Sequence, residues 1–446
     1  YQFVKDRLFF SISFRLMGGL LESENDISFR RIFQIATGNN LGSEDTFLTN
    51  IRKLLPGQYV VFSSHGAETR TYSSIFENQK SRVPGSGDYL SEFRSIFERG
   101  VQKRMTSEKL GIALSGGRDS SAIAAMIARL KLEDQQVFTY TFKPRFDEER
   151  DRTGPPWDES PLVEDLIENY PVLKPHFLES ETISVLESLE NSLETYGEPV
   201  YGASNQFWIH AMHRQLQSDQ IQILFTGQSG NFTLSWPPAE LVHTKRRSIK
   251  QYLKAKTGYL SSEKTTLYFT DKFLKEVEHA ADPINTMRED ITALQAEYLK
   301  NSINYVSSLQ KQVSIKYGFR VTDPSTDKDL VEFCLKLPLK DYHDSQMSRK
   351  LVNLGLRGIV PGSILNNRGR GIQGSDLPFR LEQERHAIYE KLRFLNTNYL
   401  VNFVFDIERL VKEWNYLNFF QIKRRDLNKL LRVLLLSIFI ERFERR

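Results

Sequence analysis

The sequence predicts an α/β protein built on a parallel sheet, because short apolar runs alternate with helical stretches. Residues 110–114 form one such run, and residues 136–142 and 221–226 form two more with strand-forming side chains. Residues 120–130, between the first two runs, are rich in alanine and isoleucine, as expected for a helix that packs on a sheet. Strand, helix and strand in this order make the βαβ unit of a parallel sheet.

A turn of serine and glycine joins the first predicted strand to this helix, and it reads Ser115-Gly116-Gly117-Arg118-Asp119-Ser120-Ser121. Its glycines allow the backbone angles that a tight strand-to-helix turn needs. Free N–H groups and the positive dipole end at a helix N-terminus attract phosphate, and the serine hydroxyls add donors. Because Asp119 would repel a bare phosphate, we expect it to hold Mg²⁺ between phosphates.

The spacing of this turn differs from two common nucleotide-binding motifs. No Gly-Lys-Ser/Thr follows it, and the Gly-x-Gly-x-x-Gly spacing is absent. Ser-Gly-Gly-x-Asp-Ser instead resembles the pyrophosphate loop of ATP pyrophosphatases, which split ATP between its α and β phosphates. An ordinary turn with a helix cap is the alternative. The resemblance implies ATP and Mg²⁺ as cofactors, with nucleotide contacts at Leu114, Ser115, Gly116, Gly117, Asp119, Ser120, Ser121, Thr141, Phe142 and Gly227.

Composition limits the remaining possibilities. The formal net charge is +4 over 446 residues, which does not indicate a nucleic-acid-binding protein. No stretch approaches a membrane span, and no signal peptide is visible. The single cysteine, Cys334, lies in an apolar helical stretch where we expect core packing, and one cysteine fits a reducing cytoplasm. The Lys- and Tyr-rich tract 240–275 is expected to be a solvated face, with binding of an acidic peptide or closure over ATP as the alternative.

Residues 1–80 are expected to form an N-terminal domain, made of strands and loops with one short helix. Residues 8–14 partly alternate, and a strand over 58–62 follows a turn. The stretch 29–60 resembles the end of the glutaminase domain of asparagine synthetases, an Ntn-type α+β domain. No cysteine precedes residue 334, so the resemblance implies an incomplete and inactive glutaminase. A polar Gly/Pro linker then leads into an ATP-binding domain expected over residues 88–446.

Further segments are similar to the synthetase domain of asparagine synthetases and β-lactam synthetases. They are the loop Gly-Gln-Ser-Gly-Asn at 227–231, the segment 318–327, and the Gly-rich basic loop at 367–376. The resemblance covers roughly residues 29–440. It implies the fold of the ATP pyrophosphatases, also described as adenine nucleotide α hydrolase-like.

Three positions depart from the family pattern. Gln228 stands where asparagine synthetases have Glu and β-lactam synthetases have Tyr, Asn231 replaces a magnesium-binding Asp, and Arg370 replaces a catalytic Lys. An amide is a weaker Mg²⁺ ligand than a carboxylate, so Asp119 carries more of the metal binding. Arg370 can hold pyrophosphate but is a poor proton donor or acceptor. The resemblance thus implies Asp119, Arg370 and Gln228 as catalytic residues, with Asp119 and Asn231 as metal ligands.

The loop at 227–231 and the run Arg-Gly-Ile-Gln-Gly-Ser-Asp at 370–376 most resemble the lasso peptide cyclases, or macrolactam synthetases. This implies adenylation of an Asp or Glu side chain in a ribosomal precursor peptide. The N-terminal amine of that peptide then attacks, and AMP and pyrophosphate leave. A leader peptidase and a leader-recognition protein are the implied partners. Two alternatives are an amide ligase that acts on a small molecule and a nucleotide-binding scaffold without activity.

The group that accepts the proton of the amine is left open by the sequence. Glu198, Glu159 and Asp158 are candidates, although helix capping explains Asp158 equally well. His210 and His213 are spaced i and i+3 on a predicted helix. That spacing can bind a metal, but no third ligand accompanies it, so we expect core or surface roles.

Overall fold

The computed structural model describes residues 1–4, 7–20, 26–39, 41–63, 66–73, 75–76, 88–145, 158–237, 267–277, 291–344, 346–367, 369 and 371–444. Its strands are β1 Gln2–Val4, β2 Arg7–Phe9, β3 Gln58–Ser63, β4 Gly66–Thr71, β5 Lys109–Ala113, β6 Gln136–Phe142, β7 Leu173–Leu178, β8 Ile223–Phe225 and β9 Arg320–Thr322. The first seven helices are α1 Phe14–Leu20, α2 Phe29–Thr37, α3 Tyr89–Gln102, α4 Arg118–Leu130, α5 Ser160–Asn169, α6 Val185–Tyr196 and α7 Gln206–Ser218. The later helices are Asp271–Glu276, Ile291–Tyr317, Lys328–Lys336, Leu339–Tyr342, Lys350–Gly355, Gly362–Leu365, Leu377–Gln383, Arg385–Leu395, Tyr399–Val404, Ile407–Trp414 and Arg424–Glu444.

A parallel sheet lies at the centre of the chain, with the strand order β7-β6-β5-β8-β9 among the described residues. Strand β5 pairs with β6 on one side and with β8 on the other, both in parallel. The three predicted strands are therefore the middle strands, and the α/β fold predicted from them is confirmed. The two edge strands, β7 and β9, were not predicted.

Helices cover both faces of the sheet, and this follows from the alternation of side chains along each strand. In β8, Ile223 and Phe225 belong to one hydrophobic cluster and Leu224 to another. The first of these clusters holds the apolar face of α4, where Ala122, Ala124 and Ala125 are fully buried. These small side chains let the helix approach the sheet closely, which fixes the start of α4 beside the end of β5.

The N-terminal segment packs into the core of the synthetase-like part. Helix α2 inserts Phe29 against Phe273 and Phe403, at ring-centroid distances of 5.9 and 5.3 Å. Arg432 donates hydrogen bonds to the carbonyls of Ile35 and Ala36, at 3.2 and 2.5 Å, near the C-terminus of α2. The division at residues 80 and 88 stays a prediction, because the linker lies almost wholly outside the described residues.

Two details of the N-terminal prediction were wrong. The strand β2 stops at Phe9 and the helix α1 begins at Phe14, so the alternating stretch 8–14 is mostly not a strand. The segment also contains two helices, α1 and α2, where one was expected. Of the described helices, none combines the length and the apolar character that crossing a membrane requires.

Candidate active site

The serine-glycine turn lies at the carboxyl end of the middle strand, between β5 and α4. The N–H of Leu114 continues the sheet by donating to the carbonyl of Tyr140, at 3.0 Å. Ser120 Oγ then accepts from the N–H of Ser115, at 3.2 Å, and the N–H of Gly117 points to Ser115 Oγ, at 3.3 Å. Gly117 precedes the helix without any side-chain cap. The free N–H groups of this helix end are therefore available to a phosphate.

The glycine loop at residues 227–231 packs directly on the N-terminus of α4. A Cβ atom on Gly227 would lie 3.0 Å from the backbone nitrogen of Ser120, and one on Gly230 would lie 2.5 Å from Cγ of Asp119. Glycine is therefore required at 230, since any side chain would collide with the Asp119 carboxylate. Ser235 follows one turn later and donates its hydroxyl to Asp119 Oδ1, at 2.6 Å. The two loops hold the Asp119 carboxylate between them.

A second carboxylate, that of Asp323, accepts a hydrogen bond from the glycine loop at residues 227–231 and so holds this loop in place. Asp323 Oδ2 accepts from the N–H of Ser229, at 2.8 Å, and Oδ1 accepts from the N–H and the hydroxyl of Ser325, at 2.9 and 2.5 Å. Its hydrogen bonds are thus used within the protein. Asp323 lies right after β9, so this edge strand positions the loop that follows β8.

Burial sets the electrostatics of Asp119. It raises the pKa of this carboxyl to about 6, although the hydrogen bond from Ser235 and the positive charge of Arg349 act in the opposite direction. Among the described residues, no cluster of three His, Cys, Asp or Glu side chains offers a complete metal cage. One buried carboxylate beside a phosphate-binding turn fits Mg²⁺, which commonly takes one or two protein carboxylates and completes its shell with phosphate oxygens and water.

The remaining residues predicted as catalytic or as metal ligands are Gln228, Asn231 and Arg370. Gln228 is exposed, and Asn231 is half-buried next to Gly230; neither side chain hydrogen-bonds to a described residue. Within the described residues, the side chain that hydrogen-bonds to Asp119 is that of Ser235 and not that of Asn231. Arg370 lies outside the described residues. The roles of Gln228, Asn231 and Arg370 stay predictions.

Two buried threonine hydroxyls lie at the carboxyl ends of the strands that flank β5. Within the described part of the chain, Oγ1 of Thr141 in β6 and Oγ1 of Thr226 after β8 have no hydrogen-bond partner. Unpaired buried hydroxyls are uncommon and cost free energy, so they mark places where a ligand can bind. Phe142, next to Thr141, packs edge-on against Phe207 at 5.9 Å. This setting suits the nucleotide contacts predicted at Thr141 and Phe142.

The three candidate proton acceptors differ in the hydrogen-bond partners of their carboxylates. Asp158 Oδ1 accepts from the N–H of Ser160, the first residue of α5, at 2.9 Å. Glu198 Oε1 accepts from Lys53 Nζ, at 2.5 Å, in a buried ion pair. Glu159 has neither kind of partner among the described residues.

Glu159 lies between the glycine turn and the basic loop. A Cβ atom on Gly371 would lie 2.1 Å from Glu159 Oε1, and one on Gly116 would lie 3.4 Å from Glu159 Cβ. Burial, and after it the negative charge of Asp158, raises the pKa of Glu159 to about 7. A carboxylate of this kind can hold or release a proton near neutral pH.

Sequence reasoning missed Arg349 as a residue of this site. It has φ 54° and ψ 40° just before the helix Lys350–Gly355, a left-handed conformation that is uncommon for a residue with a side chain. Its charge favours the ionised form of Asp119 and lowers the pKa of Arg118. In the sequence it is one basic residue before an unremarkable helix, so no local signal distinguishes it.

The histidine pair and the cysteine belong to the core, as expected. His210 bonds through its two ring nitrogens to Ser192 Oγ and to the hydroxyl of Tyr317, at 3.0 and 3.2 Å. Burial lowers the pKa of His213 to about 3 and raises that of Cys334 to about 12. Both values favour the neutral forms, which suit packing.

Comparison with known proteins gives one family match. The family model described as asparagine synthase matches residues 92–415. The glutamine-hydrolyzing asparagine synthetase of Bos taurus is 26% identical over 212 residues, which covers 43% of this chain and 36% of that protein. The corresponding enzyme of Homo sapiens is 29% identical over 164 residues, with 35% and 28% covered. The matches thus span about a third of the length of these relatives.

Two solved structures show a weaker likeness. U34-tRNA thiolase NcsA from Methanococcus maripaludis has a TM-score of 0.27 and 12% identity, covering 78% of this chain and 90% of that chain. NH3-dependent NAD synthetase from Campylobacter jejuni has a TM-score of 0.25 and 13% identity, covering 51% and 96%. The family assignment therefore depends on the sequence match over residues 92–415.

Proposed function

Because the chain belongs to the asparagine synthase family, we propose that it is an ATP-dependent, AMP-forming amide ligase. The observation that carries the proposal is the Asp119 carboxylate, buried between two glycine loops at an uncapped helix N-terminus. The ATP·Mg²⁺ complex supplies the activation that a carboxylate needs before an amine can displace it. The protein supplies the site that holds the triphosphate and excludes water.

Each described residue has a defined task in this proposal. The N–H groups at the start of α4 and the hydroxyls of Ser115 and Ser120 bind phosphate oxygens, while Asp119 holds the Mg²⁺ ion. Arg349 offsets the negative charge that accumulates. The unpaired hydroxyls of Thr141 and Thr226 face the rest of the nucleotide.

Glu159 is the best-supported acceptor for the proton that the amine loses. An amine must be deprotonated as it forms the amide bond, and a carboxyl with a pKa near the working pH suits that transfer. Burial raises the pKa of Glu159 to about 7, and its carboxylate lies against Gly371 without an ion-pair partner in the described part of the chain. Asp158 and Glu198 are already engaged.

We further propose that the substrate is a precursor peptide and the product a macrolactam. The acid would be an Asp or Glu side chain of the peptide, and the amine its N-terminus. Support comes from the resemblance of residues 227–231 and 370–376 to lasso peptide cyclases. The exposed amide of Gln228 suits contact with a large substrate. Holding both ends of one chain can supply about 7–11 kcal/mol of the barrier through orientation.

The test is exchange of labelled pyrophosphate into ATP in the presence of different acids. We expect exchange with a leaderless precursor peptide, whose use bypasses the proposed leader peptidase and leader-recognition protein. AMP and a product one water lighter should appear together, as chromatography and mass spectrometry measure. The Asp119→Asn variant, which keeps the size of the side chain and can still accept from Ser235, is the inactive control.

Each outcome has a distinct meaning. Exchange with free aspartate, and none with peptide, would replace the macrolactam proposal with a small-molecule ligase. Formation of ADP and orthophosphate would overturn the AMP-forming chemistry. A protein that binds ATP but shows no exchange with any acid would be a nucleotide-binding scaffold.

A further inference from the structure

Arg118 lies inside the glycine turn, yet its guanidinium points away from the open N-terminus of α4. Its Nε donates to Asn353 Oδ1 and to the carbonyl of Leu365, both at 3.0 Å. Its Nη2 donates to the carbonyls of Leu365 and Asn367, at 2.8 and 2.6 Å. Four hydrogen bonds from one side chain thus join the first residue of α4 to segments more than 230 residues away.

The acceptors of Arg118 mark the start of the basic loop. Leu365 ends the helix Gly362–Leu365, whose terminal carbonyls lack partners within the helix. Asn367 begins the loop, and its Oδ1 accepts from the N–H of Gly369, at 2.8 Å. A guanidinium is suited to this task because its planar fork can reach several carbonyls at once, whereas a lysine ammonium cannot.

The far side of the same loop is held by different contacts. Gly371 packs on Glu159, and Arg424 Nη2 donates to the carbonyl of Gln373, at 3.0 Å. The loop is therefore fixed at several described places, and the Arg118 hydrogen bonds are the ones donated from the phosphate-binding turn. The Arg118 hydrogen bonds, together with Glu159, which lies against both Gly116 and Gly371, couple the position of that turn to the position of the loop.

We propose that Arg118 is a positioning residue that holds the start of the basic loop against the glycine turn and thereby sets the affinity of the site for pyrophosphate. This inference rests on the proposed function, since it assumes that pyrophosphate binds between the two loops. The Nε and Nη2 donors of Arg118 are directed at protein acceptors, which is why we assign this residue to positioning the loop.

The experiment compares pyrophosphate and ATP binding in matched variants. Titration calorimetry with inorganic pyrophosphate and Mg²⁺, and separately with ATP and Mg²⁺, is done on wild type, Arg118→Lys and Arg118→Leu. The control is Arg94→Leu. Arg94 also donates to a helix-terminal carbonyl, Gly355 at 2.9 Å, but lies on α3 away from the basic loop. The melting temperature of each variant reports any loss of stability.

We expect Arg118→Leu to weaken pyrophosphate binding about tenfold or more, the scale for losing charge-assisted hydrogen bonds. Arg118→Lys should fall between Leu and wild type, and Asn353→Ala, which removes one acceptor, should show a smaller effect in the same direction. The affinity for pyrophosphate should change more than the affinity for ATP, which has further contacts.

Pyrophosphate binding equal to wild type in Arg118→Leu would overturn this inference and leave the proposed function intact. An equal loss in Arg94→Leu would do the same, because the effect would then follow stability alone. Wild-type protein that binds neither ATP nor pyrophosphate would overturn the proposed function and this inference together. If Arg118→Leu fails to fold, the Lys and Asn353 variants carry the comparison.

Discussion

In the proposed reaction, Glu159 is needed for only one of the two chemical steps. Unlike Asp158, which accepts a backbone hydrogen bond, and Glu198, which is ion-paired, its carboxyl lies against Gly371 of the basic loop. Activation of the acid by ATP transfers no proton from an amine. A role for Glu159 as proton acceptor therefore affects only the second half, in which the amide forms.

We predict that Glu159→Gln lowers the rate of amide formation about 10²- to 10⁴-fold, the range for losing a general base. Pyrophosphate exchange should stay near wild type. Because the pKa of Glu159 is raised to about 7, the wild-type amide rate should rise with pH through neutrality as the carboxylate forms. The variant should lose that rise.

The measurement is single-turnover kinetics between pH 5.5 and 8.5, chosen as roughly the range over which a group with a pKa near 7 changes charge. The control is Glu164→Gln, an exposed glutamate on α5, the helix that Glu159 directly precedes. A variant at 159 that retains the wild-type rate and pH profile would remove Glu159 from the mechanism.

The parts of the site that sequence could predict are those contiguous in the chain. The glycine turn and its Asp119 follow from seven consecutive residues, and the structure places them at the carboxyl end of the middle strand, β5. Ser235 contacts Asp119 across 116 residues. Arg349 and the contact between Glu159 and Gly371 are likewise set by packing between distant segments, which no local pattern encodes.

At the scale of elements, the site depends on how closely two loops approach each other. The loop after β8 lies on the N-terminus of α4, and Gly230 is the point of contact with Asp119. A side chain there must push the second loop away or displace the carboxylate. Either movement would separate Asp119 from its hydrogen-bond donor Ser235.

We predict that Gly230→Ala weakens binding of ATP and Mg²⁺ at least about tenfold, since the added Cβ would lie 2.5 Å from Asp119 Cγ. The matched control is Gly202→Ala, where a Cβ has no heavy atom within 4 Å. Fluorescence titration with a nucleotide analogue measures both. Wild-type affinity in Gly230→Ala would mean that the two loops are not in contact in solution.

Strands could be predicted where the run of strand-forming residues was long enough to give a clear pattern. The strand β6 was predicted with its observed bounds, 136–142, because β-branched and aromatic residues follow one another there. Strand β7 contains Lys174 and Pro175, which are tolerated at a sheet edge but obscure the pattern. Strand β9 has three residues, too few for any periodicity. Its existence follows from pairing with β8, which is a tertiary contact.

At the scale of the whole molecule, the N-terminal segment is tied to the synthetase-like part by a buried ion pair. Lys53 Nζ lies 2.5 Å from Glu198 Oε1, and Glu198 is 4% exposed. The positive charge of Lys53 is favoured by Glu198 and opposed by burial and by nearby Arg31. Removing the lysine would leave the buried carboxylate without its partner.

We predict that Lys53→Met lowers the free energy of unfolding by about 3 kcal/mol, as expected when one member of a buried pair is lost. Lys412→Met, in the exposed pair with Glu408, should leave it close to the wild-type value. Urea denaturation followed by circular dichroism measures both. An equally small effect at Lys53 would show that the N-terminal segment adds little to the stability of the molecule.

The pH dependence of stability follows from the buried histidines between α6, α7 and the helix Ile291–Tyr317. His213 packs against the rings of Tyr317 and Phe319, and its Nδ1 has no hydrogen-bond partner in the described part of the chain. Burial, and then the positive charge of Lys316, lowers its pKa to about 3. The unfolded chain, with an ordinary histidine pKa near 6.5, binds a proton that the folded protein excludes.

Stability from His213 is therefore complete above about pH 6.5 and is lost as the pH falls toward 3. We predict that the free energy of unfolding falls by about 2 kcal/mol between pH 7 and pH 5 because of His213. In His213→Phe, this part of the pH dependence should be absent. The exposed His386, replaced by Asn, is the control and should leave the slope unchanged. Urea denaturation at both pH values decides the matter, because a His213→Phe protein with the wild-type slope would show that this ring is protonated in the fold.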